Sequence, residues 1–484
     1  AKGFESGFPQ AVLDEAEKLY EHAWDEAEIK KRRDFRDVLT FTIDPDTAKD
    51  FDDAISYQQL EGGAFEVGIH IADVTHYVRP RNALDREAYK RATSVYMVDR
   101  TVPMLPPELS EDLCSLKPDV DRLAFSAVFT IKNGVVADSW FGRTIIHSKK
   151  RFTYEEADAA LRENDAPLHN ELSALWQCAS KLRAERRAAG AIMFDMDEIK
   201  PIVDAEGVVT GFKRNAYTES HQLIEELMLL ANREVATMVS KRIGKKNRLF
   251  VYRIHDVPDP EKLDELAVFL RAIGFQLARG KNSSAKEINR VLKEAEGTPH
   301  ERVIQTATIR SMAKAIYTTK NIGHFGLAFE NYAHFTSPIR RYPDIMVHRA
   351  LADVLAGKPI AEHPEELEKK AVHATEREVA AAEAERASVK LKQVEYFANH
   401  IGEEREGIVA SVTDWGIYIA ENESGADGMV RLAALTDDTY EYDPKQFAAV
   451  GARTNRKIRM GDPVRFIVER ADLEERTLDF KLIL

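Results

Sequence analysis

Five aspartates, Asp44, Asp46, Asp50, Asp52 and Asp53, fall within ten positions in the stretch Ile43-Asp-Pro-Asp-Thr-Ala-Lys-Asp-Phe-Asp-Asp53. Carboxylates this close repel one another unless cations neutralise them. Hard divalent ions held by oxygen suit such a set, with Mg²⁺ the default and Mn²⁺ the alternative. An EF-hand calcium loop is excluded. Counting Asp44 as position 1, position 5 is Ala48, position 6 is Lys49 and position 12 is Ile55. The oxygen ligand, the glycine and the glutamate that such a loop requires are all missing. A solvated acidic loop is the other reading, but it leaves Phe51, Ala54 and Ile55 among the carboxylates without a purpose. Two divalent ions ~4 Å apart can activate water, hold a phosphate and stabilise a leaving oxygen. Bridging two ions takes several carboxylates, so phosphodiester hydrolysis is the leading reaction class.

A basic counterpart lies far along the chain, in His334-Phe-Thr-Ser-Pro-Ile-Arg-Arg-Tyr-Pro-Asp-Ile-Met-Val-His-Arg349. Pro338 and Pro343 punctuate a loop that enters a helix. Arg340 and Arg341 can fork onto phosphate oxygens, and Thr336, Ser337 and Tyr342 accompany them. Pairing with acidic helices is the alternative use of such arginines. His70, His76, His221, His334 and His348 do not have zinc-site spacing and are read as hydrogen-bonding or packing residues.

The elements that must position these groups follow from periodicity. Residues 1–37 read as a charged helical lead-in. Val38–Ile43 and Phe65–Ile71 read as strands with Gly62-Gly63 turning between them, and 124–131 with 135–146 as a hairpin around Asn133-Gly134. Helices are expected at 154–163, 168–189 (closed by Gly190), 220–241, 260–273, 285–296 and 302–316, with a strand from Ala191 to Phe194. Between Pro364 and Gly402 there is no further proline or glycine, which suits a long helix capped by Gly402. Five short strands then fall between 407 and 482, the count of an OB-fold. The fold class is α+β: a large mixed α/β domain with a C-terminal five-stranded OB-fold barrel.

The 484 residues include 68 Lys and Arg against 81 Asp and Glu, a formal charge of −13. That balance argues against indiscriminate nucleic-acid binding and leaves room for a local basic channel. No run approaches the ~20 apolar residues of a membrane helix, so no membrane partner is expected. The start lacks an initiator Met and an apolar signal core, and reads as a fragment or processed form. Two cysteines, Cys114 and Cys178, both in apolar surroundings, cannot build a disulfide framework and point to a reducing cytoplasm.

With these residues on the page, the chain resembles the RNB family of hydrolytic exoribonucleases, closest to its bacterial ribonuclease R branch. The matching pieces are Ile43-Asp-Pro-Asp…Asp-Phe-Asp-Asp-Ala54, His70-Ile-Ala-Asp-Val-Thr-His-Tyr-Val78, Thr93-Ser-Val-Tyr96 and Val102-Pro-Met-Leu-Pro106. Leu109-Ser…Leu-Cys-Ser-Leu116, His221…Ile-Glu-Glu226, Gly323-His-Phe-Gly-Leu-Ala328 and the Arg340 segment follow in order. The resemblance implies a processive, Mg²⁺-dependent 3′→5′ enzyme with a two-ion site. It would act on RNA with a free single-stranded 3′ end, melt 3′-overhang duplexes as they are pulled in, and release nucleoside 5′-monophosphates. It implies metal ligation by Asp44, Asp50, Asp52 and Asp53, with Asp52 the carboxylate most critical for the chemical step. Asp46 is not carried over. Arg340 would contact the scissile phosphate, Tyr96 would stack on a base near the 3′ end, and Phe194 would be the other aromatic of that clamp. Glu385 matches a position that contacts the terminal nucleotide, with Glu383 its rival.

The barrel resembles the RNA-binding OB-fold module named for the largest protein of the small ribosomal subunit, on the run Gly407-x-Val…Val412-x-x-Trp-Gly-Ile-Tyr-Ile419. Trp415 and Tyr418 are its candidates for base stacking, with partly buried packing the alternative for Trp415. Arg431 stands where the family usually has a histidine, and could still meet phosphate. The division expected is a lead-in over 1–37, a catalytic domain over 38–402 and the RNA-binding barrel over 403–484. Ribonuclease R also carries two N-terminal cold-shock-type OB-folds and often a Lys-rich tail, which do not occur in this sequence, so a catalytic core or a short family member is expected. A monomer is the family default. A non-catalytic RNA-binding protein on this fold would predict loss of the loop aspartates, yet all four are present. A phosphatase of small esters would leave Tyr96, Arg340 and the barrel without a role.

Overall fold

The computed structural model describes residues 3–21, 24–244, 249–278 and 284–484. Helix α1 (Gln10–Glu21) and the single turn α2 (Glu26–Ile29) lead into β1 (Arg33–Phe35), β2 (Leu39–Asp44), β3 (Asp53–Gln59) and β4 (Phe65–Ala72). The helical reading of the lead-in therefore fails at 33–35, which form a strand; residues 1, 2, 22 and 23 of that reading lie outside the described residues. After α3 (Val74–Tyr77) and α4 (Ala83–Arg91) comes a small ladder of β5 (Val95–Tyr96) and β6 (Thr101–Val102). The long hairpin β7 (Asp121–Lys132)/β8 (Val135–His147) and β9 (Lys150–Thr153) complete this part of the chain. Asn133 and Gly134 both hold positive φ in the hairpin turn, the conformation an Asn-Gly pair favours.

Seven strands form one mixed sheet in the order β1-β8-β7-β4-β3-β2-β9, with β1/β8 and β2/β9 parallel. Side-chain alternation divides the strands between two cores. Phe41, Ile55, Ile69, Phe125 and Phe129 face one core, whereas Ala54, Ala72, Ala124 and Val128 belong to the other.

The first core is covered by α5 (Tyr154–Arg162), α6 (His169–Ala189) and, after the hairpin β10 (Glu198–Val203)/β11 (Val209–Asn215), by α7 (Glu219–Ile243). Strand β12 (Tyr252–Ile254) precedes three helices, α8 (Pro260–Ala272), α9 (Ala285–Ala295) and α10 (Glu301–Ser311), which share a separate apolar cluster. Then follow β13 (Ile316–Thr318), α11 (Tyr342–Leu355) and the 35-residue α12 (Pro364–Ala398). Three expectations are corrected here. Residues 191–194 pair with no strand, Ile192 donating instead to the Gly326 carbonyl. The helix expected over 302–316 stops at Ser311, because 316–318 pairs with β12. Asn399, not Gly402, caps α12; the Gly402 N–H donates to Val468 of the barrel.

The C-terminal barrel closes in the order β14 (Glu404–Val412), β15 (Gly416–Glu421), β16 (Asp427–Arg431), β21 (Thr477–Ile483) and β20 (Pro463–Asp472). These are the five strands expected from sequence. An inserted three-stranded sheet, β17 (Tyr440–Asp443), β18 (Ala448–Gly451) and β19 (Lys457–Arg459), was not. Val394 and Phe397 at the end of α12 belong to the barrel core with Ile417, Phe466 and Phe480, so one helix joins the two bodies. A Cβ at Gly428 would stand 2.2 Å from the Phe480 ring, which reserves that position for glycine.

A buried charge network fastens the lead-in to the sheet. Asp73 is fully buried, with Arg32 Nη2 2.8 Å from its carboxylate and Arg143 hydrogen-bonded to it. Arg32 also donates to the carbonyls of Ala124 and Thr144. Burial alone would raise the Asp73 carboxyl; the two guanidinium groups outweigh it and hold it well below the usual carboxylate range. Asp73→Ala takes the carboxylate partner from Arg143 and leaves Arg32 with Glu28 alone, and is expected to cost about 3 kcal/mol at pH 7. Because the folded-state pKa is depressed, this stabilisation is complete above the unfolded carboxylate value of about 3.9 and fades as pH falls below it. Urea melts of parent and variant should therefore differ strongly at pH 7 and converge towards pH 2.

Candidate active site

Strands β2 and β3 pair only as far as Phe41↔Ile55, and the chain between Asp44 and Asp53 flares away from the ladder. Asp44 ends β2 and Asp53 begins β3. The loop between them is held at many points. Phe51 is buried, its N–H donates to Ser115 Oγ at 3.0 Å, and its carbonyl accepts from Leu116. Ser115 Oγ donates to the Lys49 carbonyl, Ala72 N–H to the Asp52 carbonyl, and Arg151 Nη2 to the carbonyls of Pro45 and Asp46. Five carbonyls of this turn, those of Pro45, Asp46, Lys49, Phe51 and Asp52, are thus held by protein partners, which braces the loop that presents the carboxylates.

Asp52 is buried, and Asp44, Asp50 and Asp53 are half-buried; Asp46 is exposed. Burial first, and then the Asp53 carboxylate, push Asp44 above the usual range. Burial also raises Asp53, against the pull of Arg340 and Arg341, and raises Asp52 against Arg340 and the Ile339 N–H. Asp44 Oδ2 and Asp52 Oδ2 are buried without a hydrogen-bond partner. Among the described residues no group of three or more such side chains is drawn into a closed metal cage. The donor set still fits a hard cation: mutually repelling carboxylates and orphaned anionic oxygens are what a divalent ion would satisfy.

The Arg340 segment meets this loop directly. Ile339 N–H donates to Asp52 Oδ1 at 2.9 Å, and Arg340 Nε lies 3.5 Å from Asp52 Oδ2. The Arg340 side chain is 42% exposed and donates from Nη2 to Ser337 Oγ at 3.0 Å. Arg341 points elsewhere, donating to Asp344 at 2.8 Å from a largely buried position. The two arginines therefore do not act as a pair, and Arg340 alone faces the carboxylates. His334 and His348 support the segment from behind, the first hydrogen-bonded to Tyr317 and the second to the Phe335 carbonyl.

Three further candidates are joined in one chain of contacts. The Tyr96 hydroxyl donates to Asp50 Oδ2 at 3.0 Å, and its backbone N–H donates to Glu385 Oε1 at 2.9 Å. Tyr96 is 41% exposed, so its ring presents a face to solvent beside the carboxylates. Phe194 sits away from this group, half-buried against the α8–α10 cluster, and no ring contact joins it to Tyr96 among the described residues. Trp415, between β14 and β15, is 68% exposed, which removes the packing alternative. Tyr418 lines a cavity of about 1080 Å³ between the barrel and helices α8 and α10, none of whose lining residues belongs to the carboxylate loop. Arg431 ends β16, exposed and paired in register with Gly416.

Sequence reasoning missed Tyr154. The parallel register Asp44↔Thr153 sets it beside the loop, its phenol is pushed up by burial and then by Asp53 and Asp44, and its ring stacks on His221 at 3.8 Å. No local signal marks it, because the register joins strands a hundred residues apart.

The site is thus a cluster of strand-end carboxylates facing an arginine, in an α+β fold whose helix α12 runs on into a small barrel. Residues 32–357 match the RNB domain and residues 399–482 the S1 RNA binding domain. The chain belongs to the RNB family. It is 40% identical to ribonuclease R 1 of Lactococcus lactis over 99% of this chain and 59% of that relative, and 38% identical to ribonuclease R of Aquifex aeolicus over 99% and 68%. The chain thus spans about three fifths of the length of the Lactococcus relative. The structure of Mycoplasma genitalium RNase R in complex with ribose methylated single-stranded RNA superposes with a TM-score of 0.91 at 27% identity, covering 100% of this chain and 76% of that one.

Proposed function

We propose that this chain is the catalytic core of a processive 3′→5′ exoribonuclease that hydrolyses RNA to nucleoside 5′-monophosphates. The observation that carries this reading is the meeting of Asp52 with Ile339 N–H and Arg340, inside a loop that retains all four matched aspartates. The named relatives of this chain are ribonucleases R, which supports RNA as the substrate. Asp44, Asp50, Asp52 and Asp53 would hold two Mg²⁺ ions, with Mn²⁺ the alternative. When bound, such ions supply the positive charge that makes water a competent nucleophile and a phosphodiester a better electrophile.

The chain's own residues do the rest. Arg340, free on one side, takes the non-bridging phosphate oxygens and stabilises charge that grows in the transition state. Tyr96 stacks on a base near the 3′ end while Glu385 fixes its backbone and Asp50 its hydroxyl. Phe194, packed on the α8–α10 cluster away from Tyr96, would meet the strand at a separate point, and Trp415, Tyr418 and Arg431 hold it at the barrel. Residues 38–402 with the added strand at 33–35 form the catalytic unit, and 403–484 the RNA-holding unit. No helix among the described residues is long and apolar enough to cross a membrane. We place the protein in the cytoplasm as a monomer whose partner is RNA with a free single-stranded 3′ end.

Ion binding is testable without turnover. Saturating Mg²⁺ should raise the melting temperature by roughly 3 °C, since a ligand at about 100 times its Kd stabilises by ~2.7 kcal/mol. Asp44→Asn with Asp53→Asn should abolish the shift, and a shift that survives in that variant would sink the assigned ligands. At the barrel, Trp415→Ala should weaken RNA binding by about 1–3 kcal/mol in a competition assay with no change in melting temperature.

A further inference from the structure

The turn that carries Arg340 poses an accounting question: where do its backbone N–H groups go? Arg340 and Arg341 N–H both donate to the Ser337 carbonyl, at 3.3 and 3.0 Å, which closes the turn on itself. Pro338 has no N–H. Two donors are left, and each meets a buried carboxylate. Ile339 N–H goes to Asp52, and Ser337 N–H goes to Asp344 Oδ1 at 2.8 Å. The turn is therefore a bridge between two aspartates, one in the carboxylate loop and one in the first turn of α11. Asp344 is fully buried, and its Oδ1 accepts a second bond from Arg341 Nη2. Placement near a helix N-terminus explains why an anion is tolerated there. It does not explain a reach of seven residues back to Ser337.

We propose that Asp344 is a positioning residue for the hydrolysis: it locks the Ser337–Arg340 turn and so sets Ile339 N–H and Arg340 against Asp52. This deepens the exonuclease reading and rests on it. The same carboxylate gives Arg341 a partner of its own. Without it, that charge would turn towards the carboxylate loop, where Asp53 already feels it. The Arg340 carbonyl accepts from Ser94 N–H at 3.0 Å, two residues before Tyr96, so the lock extends to the strand that carries the stacking ring.

The test is a double-mutant cycle. Asp344→Ala should lower kcat about 30-fold, because displacement of a reacting group by about 1 Å can cost up to 10²-fold. RNA affinity measured in EDTA should change by less than about threefold. In an Arg340→Ala background the same substitution should cost clearly less than about 30-fold, since one of the two groups it positions is gone and only the Ile339 N–H contact to Asp52 is left to disturb. Removing Asp344 alone strands a buried guanidinium, so Asp344→Ala with Arg341→Met is made in parallel to keep a folded comparison. Amide hydrogen exchange without RNA supplies an arm independent of cleavage: protection at 337–341 should fall while the central sheet stays protected. Unchanged protection there, or a kcat loss of equal size with and without Arg340, overturns the proposal. A parent that fails to cleave RNA overturns the function reading alone, and the exchange arm still decides the role of Asp344.

Discussion

Asp52→Asn should lower the single-turnover rate of RNA cleavage by at least about 10³-fold, or ~4 kcal/mol of barrier, while the chain stays folded and holds RNA. The variant keeps an oxygen where Ile339 N–H donates, so the contact between loop and turn survives. It removes a buried charge whose desolvation already pushes the carboxyl far above its ordinary range. Melting temperature should therefore stay level or rise. Arg340 loses an anion 3.5 Å away, but its partly exposed guanidinium can be solvated. Rapid-quench kinetics beside a binding isotherm separate the outcomes. A variant that cleaves at the parent rate would remove Asp52 from the chemistry, and one that loses binding in step with cleavage would make it a binding residue.

Arg340→Ala should cost about 10²–10³-fold in kcat with RNA affinity changed by less than about threefold, the pattern of an interaction strengthened only in the transition state. Arg340→Lys should recover little. The native guanidinium donates from Nη2 to Ser337 Oγ while its Nε stands near Asp52 Oδ2. An ammonium is a point charge and cannot reproduce two directed contacts along one planar fork. Arg341→Lys is the informative control. That side chain is turned to Asp344, so its loss should appear in melting temperature more than in kcat.

The parts of this molecule legible in sequence are those whose signal is local. The barrel strands alternate cleanly, the Asn133-Gly134 turn has its own chemistry, and the aspartates announce themselves by crowding. Strand β3 was missed because it begins at Asp53, inside the acidic cluster, and Asp disfavours strands. Strand β1 was hidden for a related reason: a three-residue strand at the sheet edge with the sequence Arg-Asp-Phe looks like part of a charged helix. Ile192, Met193 and Phe194 have the composition of a strand, but without a ladder partner they run as an irregular segment. The division of labour between Arg340 and Arg341 was closed to sequence altogether. Adjacent residues at a turn point in different directions, and only the buried Asp344 shows which of them is taken. The Tyr96 contacts to Asp50 and Glu385 likewise bring together three segments separated by up to 335 positions.

The most direct measurement is a time course on a 5′-labelled single-stranded RNA with a free ribose 3′ end, run in Mg²⁺ and in EDTA beside Asp52→Asn. In the parent with Mg²⁺, the label should pass from full length to a product of a few nucleotides with little between, and with EDTA or Asp52→Asn it should stay at full length. A parent that binds this RNA yet never shortens it in Mg²⁺ would contradict the assignment and leave the carboxylate loop as part of a binding module.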